Sequence, residues 1–271
     1  MSETADAPGA YLERPADGIA LLRLNRPQRL NALDDATVQE IGRLLDAVSD
    51  DDACRVLILT GAGRGFCAGF DLAHAADAPG SEYGQTQAWM RRQEAFAGLV
   101  TRLRALRQPV IAAVNGPANG AGLGLALAAE IRIAARSASF NSAFVKVGMS
   151  SCDIGVSWLL PRTVGLSRSF EMMLTGRMVG AEEAERIGLV STLVDDARLL
   201  PHAIEVAQSI AANSAFGVWM TKRGGWANAE SASLAAAIEL ENRTQILART
   251  TGDLQRAAEA HLASRRSKPT A

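Results

Sequence analysis

Short apolar runs alternate with amphipathic stretches through the first two thirds of the chain. Apolar residues recur at helical spacing between Val38 and Val48, and Asp34 stands before them as a good N-cap. The bounded apolar runs that predict strands are 18–24, 56–60, 110–114, 131–134 and 189–194. Strands that alternate with helices in this way predict a fold of the α/β class.

Two further regions carry helical patterns. Residues 87–106 predict a helix that turns Trp89 and Phe96 toward the core and Arg91 and Arg92 toward solvent. From Pro201 onward the pattern is helical throughout, in the segments 201–213, 215–223, 231–250 and 252–265. We therefore expect a core domain over residues 10–200 and a separate helical region over residues 201–265.

Two glycine-rich turns each follow an apolar strand. The first turn spans residues 61–71, and the second spans residues 115–124. Glycine after a strand lets the backbone adopt dihedral angles closed to other residues and lets it approach a ligand closely. Two such turns could direct two backbone N–H groups at one oxygen atom. The two strand-and-turn units also indicate a weak internal repeat of about fifty residues.

These turns differ from the glycine motifs of nucleotide-binding and hydrolase folds. A dinucleotide fingerprint needs a third glycine, and Phe66 and Leu125 stand at that position in the two turns. The sequence contains no Gly-Lys-Ser/Thr phosphate loop and no Gly-x-Ser-x-Gly nucleophile elbow. The pattern therefore argues against a Rossmann domain and against an α/β-hydrolase.

Composition and charge narrow the set of partners. The chain has 271 residues, of which 48% are hydrophobic, and its formal net charge of −1 gives no electrostatic reason to expect nucleic acid or a membrane as partner. Its three histidines are scattered, so no metal site is expected. The cysteines favour a reducing compartment, and we expect Cys67 and Cys152 to be small buried residues. No secretory pattern opens the sequence, which together with the cysteines predicts a cytoplasmic protein.

Several ordered segments together resemble the crotonase (enoyl-CoA hydratase/isomerase) superfamily. The resemblance runs from about residue 11 to residue 265. The segments that carry it are Asn25-Arg26-Pro27 with Leu30-Asn31-Ala32-Leu33, Arg64 to Leu72, Pro109 to Gly124, and Ala181-Glu182-Glu183-Ala184 with Gly188-Leu189-Val190. Any one of these motifs would be weak evidence, whereas their order along the chain is specific.

The resemblance implies a fold, a substrate class and an assembly. The fold would be a spiral of β-β-α repeats with a C-terminal helical region that serves trimerisation, in a homotrimer or a dimer of trimers. The substrates would be acyl-CoA thioesters, with coenzyme A as part of the substrate and no other cofactor. Two backbone N–H groups, which fall on Phe70 and Ala121, would stabilise a thioester enolate in an oxyanion hole. Alanine at 121 replaces the family's usual glycine and still offers its N–H.

The physics of enolate formation agrees with this assignment. Negative charge develops on the thioester oxygen as the α-proton leaves, and preorganised N–H donors stabilise that charge by about 3–4 kcal/mol each. A helix that begins near Leu123 would add its positive end to the effect. The glycines could instead serve tight turns alone, but two such turns and the flanking motifs would then have to coincide.

The same resemblance implies a groove for the adenine and phosphates of coenzyme A. Its lining would come from the segments 29–32 and 68–72 and from one lysine of the helical region. The residues concerned are Arg29, Leu30, Ala32, Ala68, Asp71, Leu72 and Lys222. For Arg29 and Lys222, an ordinary solvated charge is an equally good interpretation.

The sequence departs from the hydratases of this family at both catalytic glutamates. Those positions align with Gly124 and Phe144, so ordinary two-glutamate hydration is in doubt. Asp153 matches, with one inserted residue, a catalytic aspartate of dienoyl-CoA isomerases and of a haloaromatic-CoA dehalogenase. It could instead cap a helix that starts near Gly155. Glu130, near the second turn, is expected to be structural.

Three functional hypotheses follow. The first is an acyl-CoA enzyme of enolate chemistry, acting by isomerisation or by hydration with a non-standard acid, with Asp153 in proton transfer. The second is a non-catalytic acyl-CoA binder that has lost its acid and base residues. The third, a hydrolase of a related spiral fold, is disfavoured because no Ser/His pair stands near the turns. The acyl pocket is expected to involve residues 73–89 and 140–147.

Overall fold

The computed structural model of the protein describes residues 8–74, 80, 82 and 84–266. A six-stranded sheet forms its centre, in the order β1-β2-β3-β4-β6-β9. The strands of this sheet are β1 (Ala10–Ala16), β2 (Ile19–Leu24), β3 (Val56–Gly61), β4 (Val110–Val114), β6 (Ile131–Ala135) and β9 (Thr192–Val194). β1 pairs with β2 in antiparallel orientation, and every other neighbouring pair is parallel.

The structure also contains a second sheet, of three strands. Its strands, in the order β5-β7-β8, are β5 (Pro117–Asn119), β7 (Ser139–Asn141) and β8 (Val179–Gly180). β4 and β6 are each followed within four residues by a short strand of this second sheet, β5 and β7. The segment after β3 joins the same pattern through a parallel bridge between Cys67 and Ala118. A long strand followed by a short one is therefore the repeating unit behind the sequence repeat.

Ten helices complete the described part of the chain. Five of them precede residue 180. Their bounds are α1 (Asp35–Asp50), α2 (Gln85–Ala105), α3 (Ala121–Ala128), α4 (Val156–Val164) and α5 (Leu166–Thr175). The others are α6 (Ala181–Arg186), α7 (Leu199–Ala211), α8 (Ala215–Ala229), α9 (Leu234–Arg249) and α10 (Asp253–Arg266). The predicted α/β class is confirmed.

Burial explains why the central strands are continuous apolar runs. Every residue of β3 and β4 is buried, since parallel strands with both faces covered need apolar side chains at each position. α1 follows the predicted amphipathic pattern, with Val38, Ile41 and Val48 buried. Its N-cap is Asp34, whose side chain accepts a hydrogen bond from the Thr37 N–H. All eight residues of α3 are buried as well, which places a small-residue helix inside the core.

Strand β1 is an element that the hydrophobic pattern did not predict. It lies at the edge of the sheet and carries Glu13, Arg14 and Pro15. The pairing register with β2 shifts between Glu13 and Ala16. Proline is tolerated at such an irregularity because its missing N–H is not needed for a ladder hydrogen bond. A polar, bulged edge strand has no apolar alternation to reveal it.

Helix α2 corrects two predicted orientations. Phe96 is buried as expected, whereas Trp89 is 38% exposed and so does not belong to the core. Arg92, expected in solvent, has a side chain only 8% exposed. Its guanidinium lies over the ring of Phe70, 4.9 Å from the centroid, and 5.4 Å from the Trp89 centroid. Cation–π contact with these two rings is the reason that the charge is covered.

The chain divides into two compact units, of which the first ends at Ser209 and the second begins at Ile210. The first unit holds both sheets and helices α1 to α6. The second holds α8, α9 and α10, and α7 lies across the division. A role of the helical region in trimerisation stays a prediction. None of the described helices is both long and apolar enough to cross a membrane.

Candidate active site

The two glycine-rich turns lie directly against each other. The Cys67 N–H donates to the Pro117 carbonyl at 3.0 Å, and the Asn119 N–H donates to the Cys67 carbonyl at 2.9 Å. Gly122, in the first turn of α3, faces the same carbonyl, and a Cβ added there would lie 2.0 Å from the Cys67 oxygen. The glycines are therefore required because the two backbones touch, and the contact fixes one turn relative to the other.

This contact brings the two predicted N–H donors to one place. Gly69 has a φ of 95°, and a Cβ added to it would lie 3.3 Å from the Ala121 nitrogen. Ala121 is the first residue of α3, so its N–H has no acceptor within the helix. Within the part of the chain that the structure describes, neither the Phe70 N–H nor the Ala121 N–H donates to a protein acceptor. Both groups are thus available to a ligand oxygen.

A cavity of about 420 Å³ opens beside these donors. Phe70, Ala121 and Asp153, predicted from three separate motifs, all line it. The other lining residues are Leu72, Trp89, Arg92, Gln93, Phe96, Phe144, Val147, Met149 and Ile154. Trp89, Phe144 and Val147 fall in the two segments expected to form the acyl pocket. Of the segment 73–89, residues 75–79, 81 and 83 lie outside the described residues.

Asp153 does not cap helix α4. The N-cap is Gly155, and no side chain supplies a capping hydrogen bond there. The Oδ1 atom of Asp153 instead accepts from the Ile154 N–H at 2.7 Å and from the Gln93 side-chain amide. The alternative of a capping role for Asp153 is therefore wrong, and its carboxylate belongs to the cavity wall.

The turn that presents Asp153 has an unusual backbone. Ile154 has a φ of 41°, in the left-handed region that a β-branched residue rarely adopts. It is 4% exposed and packs against α3 at Gly124. Strained backbone of this kind persists only where the surrounding structure imposes it, and it concentrates at functional sites. Packing on α3 therefore holds the conformation that turns Asp153 toward the cavity.

Aromatic rings and one arginine form another part of the cavity wall. The Phe70 ring meets Phe96 edge to face, with centroids 5.5 Å apart. Arg92 lies over the Phe70 ring, and its Nε donates to Asp35 at 2.7 Å. The ion pair and the ring contacts thus fix the residue whose N–H is a predicted donor. Sequence reasoning missed Arg92, Gln93 and Phe96 as cavity residues, because a helical pattern does not show which helix face meets a cavity.

The two positions that are expected to align with hydratase glutamates hold a glycine and a phenylalanine. Gly124 lies inside the buried helix α3, and a Cβ added there would lie 2.7 Å from Ile154 Cγ2 and 3.0 Å from the Ile154 carbonyl oxygen. Phe144 lines the cavity with an aromatic ring. Of the described residues that line the cavity, Asp153 alone carries a carboxylate.

The predicted coenzyme A residues of the core gather where the segment around Leu30 meets the first glycine-rich turn. The Ala68 N–H donates to the Leu30 carbonyl at 2.9 Å, and the Asp71 N–H donates to the Leu33 carbonyl at 2.9 Å. Ala32 is buried beside this contact, its carbonyl accepting from the Arg26 guanidinium at 2.6 Å. The side chain of Leu72 is exposed.

The remaining predicted coenzyme A contacts differ in exposure. Arg29 is exposed in a short 3-10 turn that spans Pro27–Arg29. Lys222, in helix α8 of the second unit, is 6% exposed, so it is not an ordinary solvated charge. Coenzyme A contacts of these residues stay predictions.

Asp71 forms a buried ion pair rather than an open carboxylate. Its Oδ2 accepts from Arg26 at 2.8 Å, and the residue is 5% exposed. Burial alone would raise the pKa of Asp71, but the hydrogen bonds from Arg26 and from the Ala73 N–H, with the charges of Arg26 and His74, outweigh burial and lower that pKa below its usual value. Because Asp71 follows Phe70 directly, the ion pair also anchors the first predicted N–H donor.

This ion pair predicts acid lability. A carboxyl whose folded pKa is lowered contributes stability that is present above its unfolded pKa, about 3.9, and is lost as the pH falls through the folded value. We expect the thermal unfolding midpoint of the wild-type protein to fall as the pH drops below about 4. The midpoint of the Asp71→Asn variant should fall less steeply over the same range. Unfolding followed by circular dichroism from pH 6 to pH 2.5 measures both. An equally steep fall in the variant would contradict a role for Asp71.

No cysteine or histidine is among the described residues that line the cavity. Cys67 is buried, and burial raises the pKa of its thiol to about 12, which excludes it as a nucleophile. Cys152, expected to be buried, is exposed. No group of three or more His, Cys, Asp and Glu side chains that could hold a metal ion occurs among the described residues. Glu130 accepts a hydrogen bond from the Val110 N–H at 2.8 Å, in agreement with a structural role.

Comparison with known proteins adds independent information. The sequence profile of the enoyl-CoA hydratase/isomerase family matches residues 14–268. A probable enoyl-CoA hydratase of Mycobacterium leprae is 44% identical over 250 residues, which cover 91% of this chain and 85% of that protein. The 1,2-epoxyphenylacetyl-CoA isomerase of Escherichia coli is 40% identical over 251 residues, which cover 92% of this chain and 93% of that protein. The crystal structure of a probable enoyl-CoA hydratase/isomerase from Mycobacterium abscessus has a TM-score of 0.87 at 38% identity, covering 94% of this chain and 96% of that one.

Proposed function

The chain belongs to the crotonase superfamily, the enoyl-CoA hydratase/isomerase family of enzymes, and on that premise we propose that it stabilises the enolate of an acyl-CoA thioester in an oxyanion hole. The observation that carries the proposal is that Phe70, Ala121 and Asp153 line one cavity. Two unpaired backbone N–H groups and one carboxylate are the groups that enolate formation requires. The substrate binds as a thioester of coenzyme A.

The oxyanion hole acts on the thioester oxygen. As a proton leaves the α-carbon, its electron pair moves into the C–C bond and negative charge moves to the oxygen. The N–H groups of Phe70 and Ala121 are already oriented, so they stabilise this charge without reorganisation. The Ala121 N–H also belongs to the first turn of α3, whose positive end adds to the stabilisation. Asp153 accepts the proton.

The cavity favours isomerisation over hydration. Hydration needs one group to activate water and a second to protonate the α-carbon. With Asp153 as the only carboxylate on the described cavity wall, one group must serve both proton transfers. A carboxylate that takes a proton from the α-carbon and returns it to the γ-carbon moves a double bond and balances the reaction. The apolar and aromatic side chains of the wall, such as Phe96 and Met149, suit an uncharged acyl chain.

Contacts to coenzyme A and the assembly complete the proposal. Arg29 and Lys222 would bind phosphate groups, and Leu30, Ala32, Ala68 and Leu72 would border the adenine. Asp71 would support the groove rather than bind coenzyme A through its carboxylate, since that carboxylate is engaged by Arg26. The protein would work in the cytoplasm as a homotrimer or a dimer of trimers.

A panel of thioesters tests the proposed activity. Crotonyl-CoA, a 3-enoyl-CoA and a dienoyl-CoA are each incubated with the protein, and turnover is followed by absorbance. We expect shift of the double bond in the 3-enoyl or dienoyl thioester and little hydration of crotonyl-CoA. Tight calorimetric binding of all three without turnover would instead support a non-catalytic acyl-CoA binder.

A glutamate introduced at position 124 is not expected to give hydratase activity. Gly124→Glu places a side chain against the Ile154 carbonyl and Cγ2, and overpacking of this kind typically destabilises by about 1–3 kcal/mol. We expect a lower free energy of unfolding and no gain in hydration of crotonyl-CoA. Phe144→Glu is the matched control: residue 144 lines the cavity and is only half-buried, so this variant should lose less unfolding free energy than Gly124→Glu. Wild-type stability together with new hydratase activity in Gly124→Glu would contradict this account.

A further inference from the structure

The carboxylate of Asp153 uses its two oxygens differently. Oδ1 accepts two hydrogen bonds, one from the Ile154 N–H and one from the Gln93 side-chain amide. Oδ2 has no donor within the part of the chain that the structure describes. A carboxylate with one oxygen engaged twice and the other open has a defined direction for accepting a proton.

The two donors come from different elements. Ile154 lies in the strained turn, whereas Gln93 lies on α2, a helix that contributes several residues to the cavity wall. The bond between Gln93 and Asp153 therefore joins α2 to the turn across sixty residues of sequence. No other hydrogen bond joins the Asp153 side chain to α2 in the described part of the chain.

Gln93 has the chemistry that such a tether needs. Its amide nitrogen is a donor, which is the end of the side chain that can bond an ionised carboxylate. The amide carries no charge and does not titrate, so it fixes the carboxylate without competing for the proton. Arg92, the neighbouring cation on the cavity wall, is engaged by Asp35 and by the Phe70 ring.

We propose that Gln93 is a positioning residue, which holds Oδ1 of Asp153 so that Oδ2 faces the α-carbon of the bound thioester. This inference rests on the proposed function, in which Asp153 transfers the proton. Gln93 acts through orientation: proton transfer needs the accepting atom within hydrogen-bond reach, and a misplacement of about 1 Å can slow a reaction about a hundredfold.

Exchange of α-protons tests the proposal. The probe is butyryl-CoA in D₂O, with exchange at its α-carbon followed by NMR and binding measured by calorimetry. Gln93→Glu keeps the shape of the side chain and removes the amide donor, and Gln93→Leu removes all polarity. We expect exchange to slow by about ten- to a hundredfold in both variants, with the Kd for butyryl-CoA within about twofold of wild type. The control is Gln39→Leu, at an exposed glutamine of α1 that is not among the described residues of the cavity lining, which should exchange like wild type.

Two results would overturn the inference while leaving the proposed function intact. One is unchanged exchange in Gln93→Leu and Gln93→Glu. The other is slower exchange that is fully explained by a weaker Kd, which would mean that Gln93 contacts the substrate rather than positioning Asp153. Absence of exchange in the wild-type protein with butyryl-CoA bound would contradict the proposed function itself.

Discussion

Asp153→Asn is expected to slow double-bond isomerisation by about 10²- to 10⁴-fold, the range that a positioned general acid–base group contributes. Asparagine keeps the shape of the side chain and an oxygen that accepts from Gln93 and from the Ile154 N–H. Its amide nitrogen cannot accept the proton. Because the oxyanion hole is unaffected, the Kd for acyl-CoA should change little. Steady-state kinetics on the preferred 3-enoyl or dienoyl thioester, with calorimetry, measures both quantities.

The control for this variant is Asp52→Asn, which changes an exposed carboxylate remote from the cavity lining. It should retain wild-type turnover. Unchanged turnover in Asp153→Asn would remove Asp153 from the mechanism, whereas a loss of binding that parallels the loss of turnover would assign it to substrate recognition.

Ala121→Pro is expected to lower kcat by about 10²- to 10³-fold, because it deletes one oxyanion donor. Proline lacks a backbone N–H and is well tolerated at the first residue of a helix, where the N–H has no intrahelical acceptor. Ala121 occupies that position in α3. The substitution therefore removes the donor with little expected change in the helix, which circular dichroism and the unfolding midpoint verify.

A matched substitution controls for the effect of proline itself. Ala215→Pro makes the same change at the first residue of α8, after the N-cap Ser214, and should leave turnover unchanged. A similar loss of kcat in both variants would indicate general destabilisation. Full activity in Ala121→Pro would exclude its N–H as an oxyanion donor.

The fold was largely predictable because its signals are strong and local. Continuous apolar runs predicted the buried parallel strands, and the amphipathic face around Ile41 predicted α1. The crotonase-type α/β fold implied by the ordered motifs is confirmed. Strand β1 escaped prediction because a bulged edge strand with Glu13 and Pro15 has neither an apolar run nor an alternation.

The site was predictable only in part. Phe70 and Ala121 follow from backbone turns, whose glycines leave a sequence signature. The surroundings of Asp153 depend on contacts between elements far apart in sequence. The bond from Gln93, the left-handed Ile154 and the cover of Arg92 over Phe70 each arise from packing, and a periodic pattern on α2 cannot distinguish a residue that faces a cavity from one that faces solvent.

The central claim is that the N–H groups of Phe70 and Ala121 bind the thioester oxygen. The stretching vibration of the thioester carbonyl reports directly on these hydrogen bonds. Crotonyl-CoA labelled with ¹³C at its carbonyl is bound to the wild-type protein and to Ala121→Pro, and the carbonyl stretch is measured by difference infrared spectroscopy. We expect binding to wild type to lower the stretching frequency below its value in water, and we expect Ala121→Pro to lose a large part of this shift. A bound carbonyl with the same frequency as free crotonyl-CoA would contradict the central claim.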